Sequence, residues 1–115
     1  MKLTRIYTGD DRQSHFEDIE YDLTESSEGL LSDPIPATGM MLRETAADYH
    51  FDFHAAPRRQ FVINLDASVE LEVGDGSKRI IGPGEIILVE DTTGQGHISR
   101  TVDGKARRSV YVTLD

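Results

Sequence analysis

Phe61, Ile63, Leu65, Ala67, Val69, Leu71 and Val73 put an apolar residue at every second position, with mostly polar partners between them. Successive side chains of an extended backbone point to opposite faces, so this period predicts strand with one buried side. The run is long for one strand, and a bend or bulge near Asp66-Ala67-Ser68 is expected to divide it. Turn signals punctuate the chain beyond it: Gly74-Asp75-Gly76-Ser77, Gly82-Pro83-Gly84, the Gly94 to Gly96 loop and Val102-Asp103-Gly104-Lys105. Between them lie Arg79-Ile80-Ile81, the unbroken apolar run Ile86-Ile87-Leu88-Val89 and the alternating stretch Ser109 to Leu114. The unbroken run suits a strand covered on both faces. Short strands with a turn every ~8–12 residues, and no helical period, predict an all-β antiparallel barrel or sandwich.

The first 49 residues carry weaker signals. Leu3 to Tyr7 reads as a short strand ended by Gly9-Asp10-Asp11, and His15 to Leu23 as a half-buried strand through Ile19, Tyr21 and Leu23. Residues 24–38, rich in Ser, Gly, Pro and acid, read as a loop, and Met40 to Thr45 as a further strand.

Length and charge narrow the function classes. A chain of 115 residues is expected to be one domain, 1–115, burying roughly 65% of its unfolded surface in one core. It carries 12 Lys and Arg against 21 Asp and Glu, a net charge of −9. That balance disfavours nucleic acid, whose phosphates need neutralising, and anionic membrane surfaces. It suits small-molecule partners. The absence of cysteine removes disulfides, thiolate nucleophiles and Cys-based metal sites. The N-terminus lacks an apolar run of signal-peptide length, and no stretch reaches the ~20 apolar residues of a membrane span, so a cytoplasmic location is the default expectation.

Two stretches carry the chemistry. The first is His50-Phe51-Asp52-Phe53-His54-Ala55-Ala56-Pro57-Arg58-Arg59-Gln60, and the second is Gly82-Pro83-Gly84-Glu85 followed by Asp91-Thr92-Thr93-Gly94-Gln95-Gly96-His97. Together they resemble the two motifs of the cupin superfamily, over about residues 50–115. The resemblance implies a cupin double-stranded β-helix, a jelly-roll-like antiparallel barrel, with 50–115 as its motif-bearing core. Residues 1–49 would then form an N-terminal arm and early strands that complete the barrel and often a homodimer. It also implies a divalent metal, held in such proteins by two His and a Glu of the first motif and one His of the second. Here His54 takes the first His position and His97 matches the second-motif His. Ala56 stands where the second His would be, Gln60 where the Glu would be and Ala67 where a closing Gly would be. Two imidazoles and an amide hold Fe, Zn, Ni or Mn less well than three imidazoles and a carboxylate. A metal-free site is therefore the slightly favoured reading.

One rescue of the metal site uses Asp52. On a regular strand His50, Asp52 and His54 share a face, and Asp52 with His54 and His97 would give a two-His, one-carboxylate set of the kind that suits non-haem iron. The alternative leaves Asp52 and His50 in water while Phe51 and Phe53 pack. Gln60 and Asn64 share a face and either line the cavity or face solvent. Glu90 follows a buried strand and is a candidate general acid or base beside His54 and His97. Asp91 is either a second such acid or base or, the preferred reading, turn chemistry accepting hydrogen bonds from Thr92 and Thr93. Arg58 and Arg59 either present a fork to a carboxylate or phosphate substrate or form surface ion pairs.

These residues lead to three functional expectations. One is a small-molecule isomerase, cyclase or lyase working by acid–base chemistry, with Gln60, Asn64 or Arg58 fixing the ligand. Another is a metal-dependent, dioxygenase-type enzyme on a reduced ligand set. The third is a ligand-binding or sensor module without turnover.

Overall fold

The computed structural model describes residues 1–115 and contains twelve strands and no helix. They are β1 (Lys2–Thr8), β2 (Ser14–Glu20), β3 (Thr24–Ser26), β4 (Gly29–Leu31), β5 (Gly39–Thr45) and β6 (His50–His54), then β7 (Gln60–Asn64), β8 (Val69–Glu72), β9 (Lys78–Ile81), β10 (Ile86–Glu90), β11 (His97–Thr101) and β12 (Arg107–Thr113). The all-β expectation holds, and no helix is long and apolar enough to cross a membrane.

Eight strands form one antiparallel ribbon folded in half. β8 pairs with β9, β7 with β10, β6 with β11 and β5 with β12. The fold-back is the turn after Val73, where Gly76 adopts a φ of 88° and its N–H donates to the Val73 carbonyl. Successive pairs of the ribbon alternate between two sheets. β5·β12 and β7·β10 lie in a six-stranded sheet of order β2-β1-β10-β7-β12-β5, and β6·β11 and β8·β9 in a four-stranded sheet of order β6-β11-β8-β9. A ribbon wound this way is a jelly roll.

The long alternating run is divided as its length requires. β7 belongs to the large sheet and β8 to the small one, so the chain changes sheets across 65–68, where Leu65 is exposed and Ala67 buried. The N-terminal hairpin extends the large sheet: β1 joins β10 in parallel and β2 lies outside it. The segment 24–38, read from sequence as a loop, contains the small hairpin β3–β4. The ribbon itself begins with β5, inside the segment read as an arm and early strands.

Strand β10 separates two apolar clusters. Ile87 and Val89 join Ile6, Ala56, Val69, Leu71, Val73 and Ile81 in the main core. Leu88 turns the other way and joins Phe61 and Leu114, with Leu3, Ile19 and Tyr21 against them. Burial on both faces is why Ile86 to Val89 shows no alternation.

Candidate functional site

Register fixes which side chains enter the space between the sheets. On the large sheet, Thr45 faces Arg107 and Arg43 faces Ser109 across β5·β12. Ser109 in turn faces Asn64 and Tyr111 faces Val62 across β12·β7, and Val62 and Gln60 face Ile87 and Val89 across β7·β10. All of these except Thr45 line one cavity of about 360 Å³, together with His54, His97, Ser99, Tyr49, Arg58 and apolar residues. That volume is at the small end of ligand pockets, roughly 300–1,000 Å³.

The two histidines come from the small sheet. His97 pairs with His54, but Ser99 pairs with Phe51, so two steps on β11 match three on β6. The extra residue is a bulge, and it breaks the period that would have put His50, Asp52 and His54 on one face. The Phe51 ring consequently lies 3.9 Å from that of His54, centroid to centroid, and the His54 and His97 rings are 4.7 Å apart. Gly96 lets the strands approach this closely. It has a φ of 76°, and a Cβ there would fall 1.8 Å from the His54 carbonyl oxygen.

Each imidazole is tied through Nδ1. His54 Nδ1 donates to the Asp52 carbonyl at 2.8 Å, and His97 Nδ1 donates to Asp91 Oδ2 at 2.5 Å. Both tautomers are thereby assigned with the proton on Nδ1, and both Nε2 atoms are left as acceptors. Asp91 is fully buried. Its Oδ2 also accepts from Ser14 Oγ at 2.6 Å, while Oδ1 has no partner at all. Burial is the main influence on His54 and, with His97 and Arg43 nearby, outweighs the bond to Asp52 and holds its imidazole below the usual histidine range.

The other sequence candidates scatter. Gln60 and Asn64 are buried in the cavity wall. Asn64 is committed to the fold, donating to the Ile81 carbonyl at 2.9 Å and accepting from Ser109 Oγ at 3.2 Å. Arg58 lies at the rim, with a long 3.4 Å contact to Gln60 Oε1. Asp52, expected as a metal ligand, is exposed and accepts the N–H of Phe53 instead. The bulge removes it from the face it was assigned. Glu90, expected as an acid or base, lies outside the cavity between Arg5 at 2.6 Å and Arg59 at 2.7 Å. Burial alone would raise its carboxyl, but the bonds from those two arginines hold it below the usual range, so it stays ionised and paired. Arg43 and Arg107 escaped the sequence reading, and Asp91 was assigned there to turn chemistry.

A resident divalent metal does not fit these donors. No three His, Asp or Glu side chains converge to hold one. The remaining first-motif positions are Ala56 and Gln60, and the charged side chains lining the same cavity are cationic: Arg43, Arg58 and Arg107.

Solved structures with the same fold are distantly related in sequence. A putative ethanolamine utilization protein Q from Salmonella typhimurium superposes with a TM-score of 0.53 over 99% of this chain and 95% of that one, at 10% identity. The fold they share is an all-β jelly roll. Protein NMB1881 from Neisseria meningitidis matches with a TM-score of 0.51 at 18% identity, covering 66% of this chain and 72% of that one. The conserved SPY1581 protein of unknown function from Streptococcus pyogenes matches with a TM-score of 0.52 at 15% identity, covering 75% and 69%. No family model and no curated protein matches the sequence. At these identities the likeness concerns the fold alone.

Proposed function

We propose that this small cupin-fold protein binds a small molecule between its sheets and moves a proton on it with the His54–His97 pair, as an isomerase, cyclase or lyase does. One observation carries the reading: both imidazoles are fixed through Nδ1, both Nε2 atoms are free at the cavity, and a fully buried carboxylate stands behind one of them. Structural histidines satisfy both nitrogens or face water. Here a pair of oriented bases borders a partly open cavity.

His54, held neutral, accepts a proton from the ligand on Nε2. In its imidazolium form, with Asp91 holding Nδ1–H and facing the charge, His97 gives its Nε2 proton to a second position as His54 takes one, so the ligand loses one proton and gains another. Neighbouring imidazoles resist carrying two charges together, so one is acid while the other is base. Ser14 and Asp91 act through His97 as positioning residues. Gln60 in the wall and Arg58 at the rim are among the groups that orient the ligand.

Hydrogen–deuterium exchange tests this directly. Small 2-oxo and 2-hydroxy compounds, both neutral and anionic, are incubated with the protein in D2O and followed by proton NMR. The expected result is washout of a carbon-bound proton by the wild type, slowed about 10²–10⁴-fold in His54→Gln and in His97→Gln. Exchange at the wild-type rate in both folded variants overturns the proposal. A wild type that exchanges no compound returns the chain to the reading of a binding module. Pairing of two copies belongs to the same proposal, supported by exposed Met40 and Leu42 on β5, the open edge of the large sheet. Light scattering at micromolar concentration should then give twice the chain mass.

A further inference from the structure

The cavity holds cations without anions. Arg107 is 5% exposed, and the one hydrogen bond its guanidinium makes within the protein runs from Nη1 to the Ser68 carbonyl at 3.3 Å. A guanidinium offers five N–H donors, so most of this one is unused. Arg43 is half-buried, oriented by a 2.7 Å bond from Nη1 to the Tyr111 hydroxyl and lying over the Tyr49 ring at 5.2 Å. Arg58 stands at the rim. None of the three meets a carboxylate, and no Asp or Glu lines the cavity.

Scarcity of acid is not the reason, since acidic residues outnumber basic ones 21 to 12. Arg5, Arg59, Arg79, Arg100 and Arg108 each have a carboxylate partner on the outside of the barrel. A buried charge without a partner is costly, and a fold retains one when something else supplies the counter-charge.

We propose that the ligand of this cavity is a small organic anion whose carboxylate or phosphate group is held between Arg107 and Arg43, with Arg58 at the entrance. This rests on the cavity being the ligand site of the preceding proposal and names the class of compound it takes. Guanidinium groups match two oxygens of such anions with paired N–H donors. Val62, Val69, Ile87 and Val89 give the carbon skeleton an apolar wall. The two arginines come from the large sheet and the two histidines from the small one, so a ligand bridging them has its charged end opposite the bases.

The charge also serves the proton transfer. When a C–H bond next to a carboxylate breaks, its electron pair moves into the C–C bond and onto the carboxylate oxygens while the proton passes to Nε2. Reprotonation at carbon reverses the flow, and no oxidant or reductant is needed. Cations already in place at the oxygens stabilise the developing charge.

Calorimetric titration with malonate and with inorganic phosphate tests the class, with malonamide as the neutral control. The expected result is binding of malonate, phosphate or both by the wild type and none of malonamide. Affinity should fall about 10–100-fold in Arg107→Met and in the more exposed Arg43→Gln, the loss expected for a charge-assisted hydrogen bond or two. Without ligand, Arg107→Met should melt higher than the wild type, because an uncompensated buried charge is gone. If that variant fails to fold, Arg43→Gln carries the test. Malonamide binding as tightly as malonate, anion binding unchanged in the arginine variants, or no anion binding by the wild type at ~10 mM overturns the inference. The two proposals fail separately. Anion binding without proton exchange removes only the catalytic reading, and exchange on neutral compounds without anion binding removes only this one.

Discussion

Asp91 concentrates its bonds on one oxygen and leaves the other bare. Asn at this position keeps the size but brings an NH2 that competes to face His97 and offers the wrong partner to its Nδ1 proton. Asp91→Asn is therefore expected to slow exchange about 10²–10⁴-fold while the protein still folds, read by the same NMR assay and by circular dichroism. His54 gives a pH prediction. Its folded-state value lies below the ordinary value of about 6.5, so the unfolded chain binds the proton more readily. The stability from its neutral form is complete above about pH 6.5 and is lost as pH falls through the lowered value. Melting temperatures between pH 7.5 and 5 should fall more for wild type than for His54→Gln, and parallel curves count against the assignment. His54 and His97 were legible in sequence because motif spacing names them. Asp91 was not: an acid before Thr92-Thr93 gives the same local turn signal wherever its carboxylate points. Only the approach of β2 and β11 decides that. Arg43 and Arg107 face each other's strands across more than half the chain, a separation no local pattern spans.

Loop 91–96 is the element on which the site depends, and it is clamped from the N-terminal side. Gln95 donates to the Arg12 carbonyl, Thr8 donates to the Thr93 carbonyl, and Ser14 donates to Asp91. The β1–β2 hairpin, within the segment read as an arm and early strands, thus supports loop 91–96 as well as widening a sheet. Gly96 is its tightest point. Gly96→Ala adds left-handed strain and a methyl group against the His54 backbone. It should cost at least ~2 kcal/mol in urea unfolding and separate the two histidine rings. A variant as stable as wild type would show that β6 can shift without penalty. The strands themselves were largely readable, because alternation marks β7, β8 and β12 and a double-sided apolar run marks β10. The hairpin β3–β4 was not. Its strands are three residues each and exposed throughout, too short for any period to register. The β6 bulge was equally silent, since its sequence alternates as though the strand were regular.

At the scale of the whole molecule, charge is sorted by side of the wall. A surplus of acid covers the outside and pairs with the outward arginines, while the interior keeps unpaired cations. The winding adds a consequence for how the protein opens. In a ribbon folded in half, β8·β9 closes the shortest loop and β5·β12 the longest, so the outer pair is the costliest to bring together and the first to fray. Arg43 and Arg107 sit on that outer pair, on strand β5 and its neighbour β12. In the unpaired chain, amide exchange should accordingly be faster in β5 and in the edge of β12 that faces it than at the β8–β9 fold when the cavity is empty. An anion gripped by both strands would close the ribbon like a clasp, and saturating malonate should slow exchange there more than at the β8–β9 fold. Uniform protection would mean that the sheets open together. On that reading, the anion that fills the cavity is also what holds the open end of the ribbon shut.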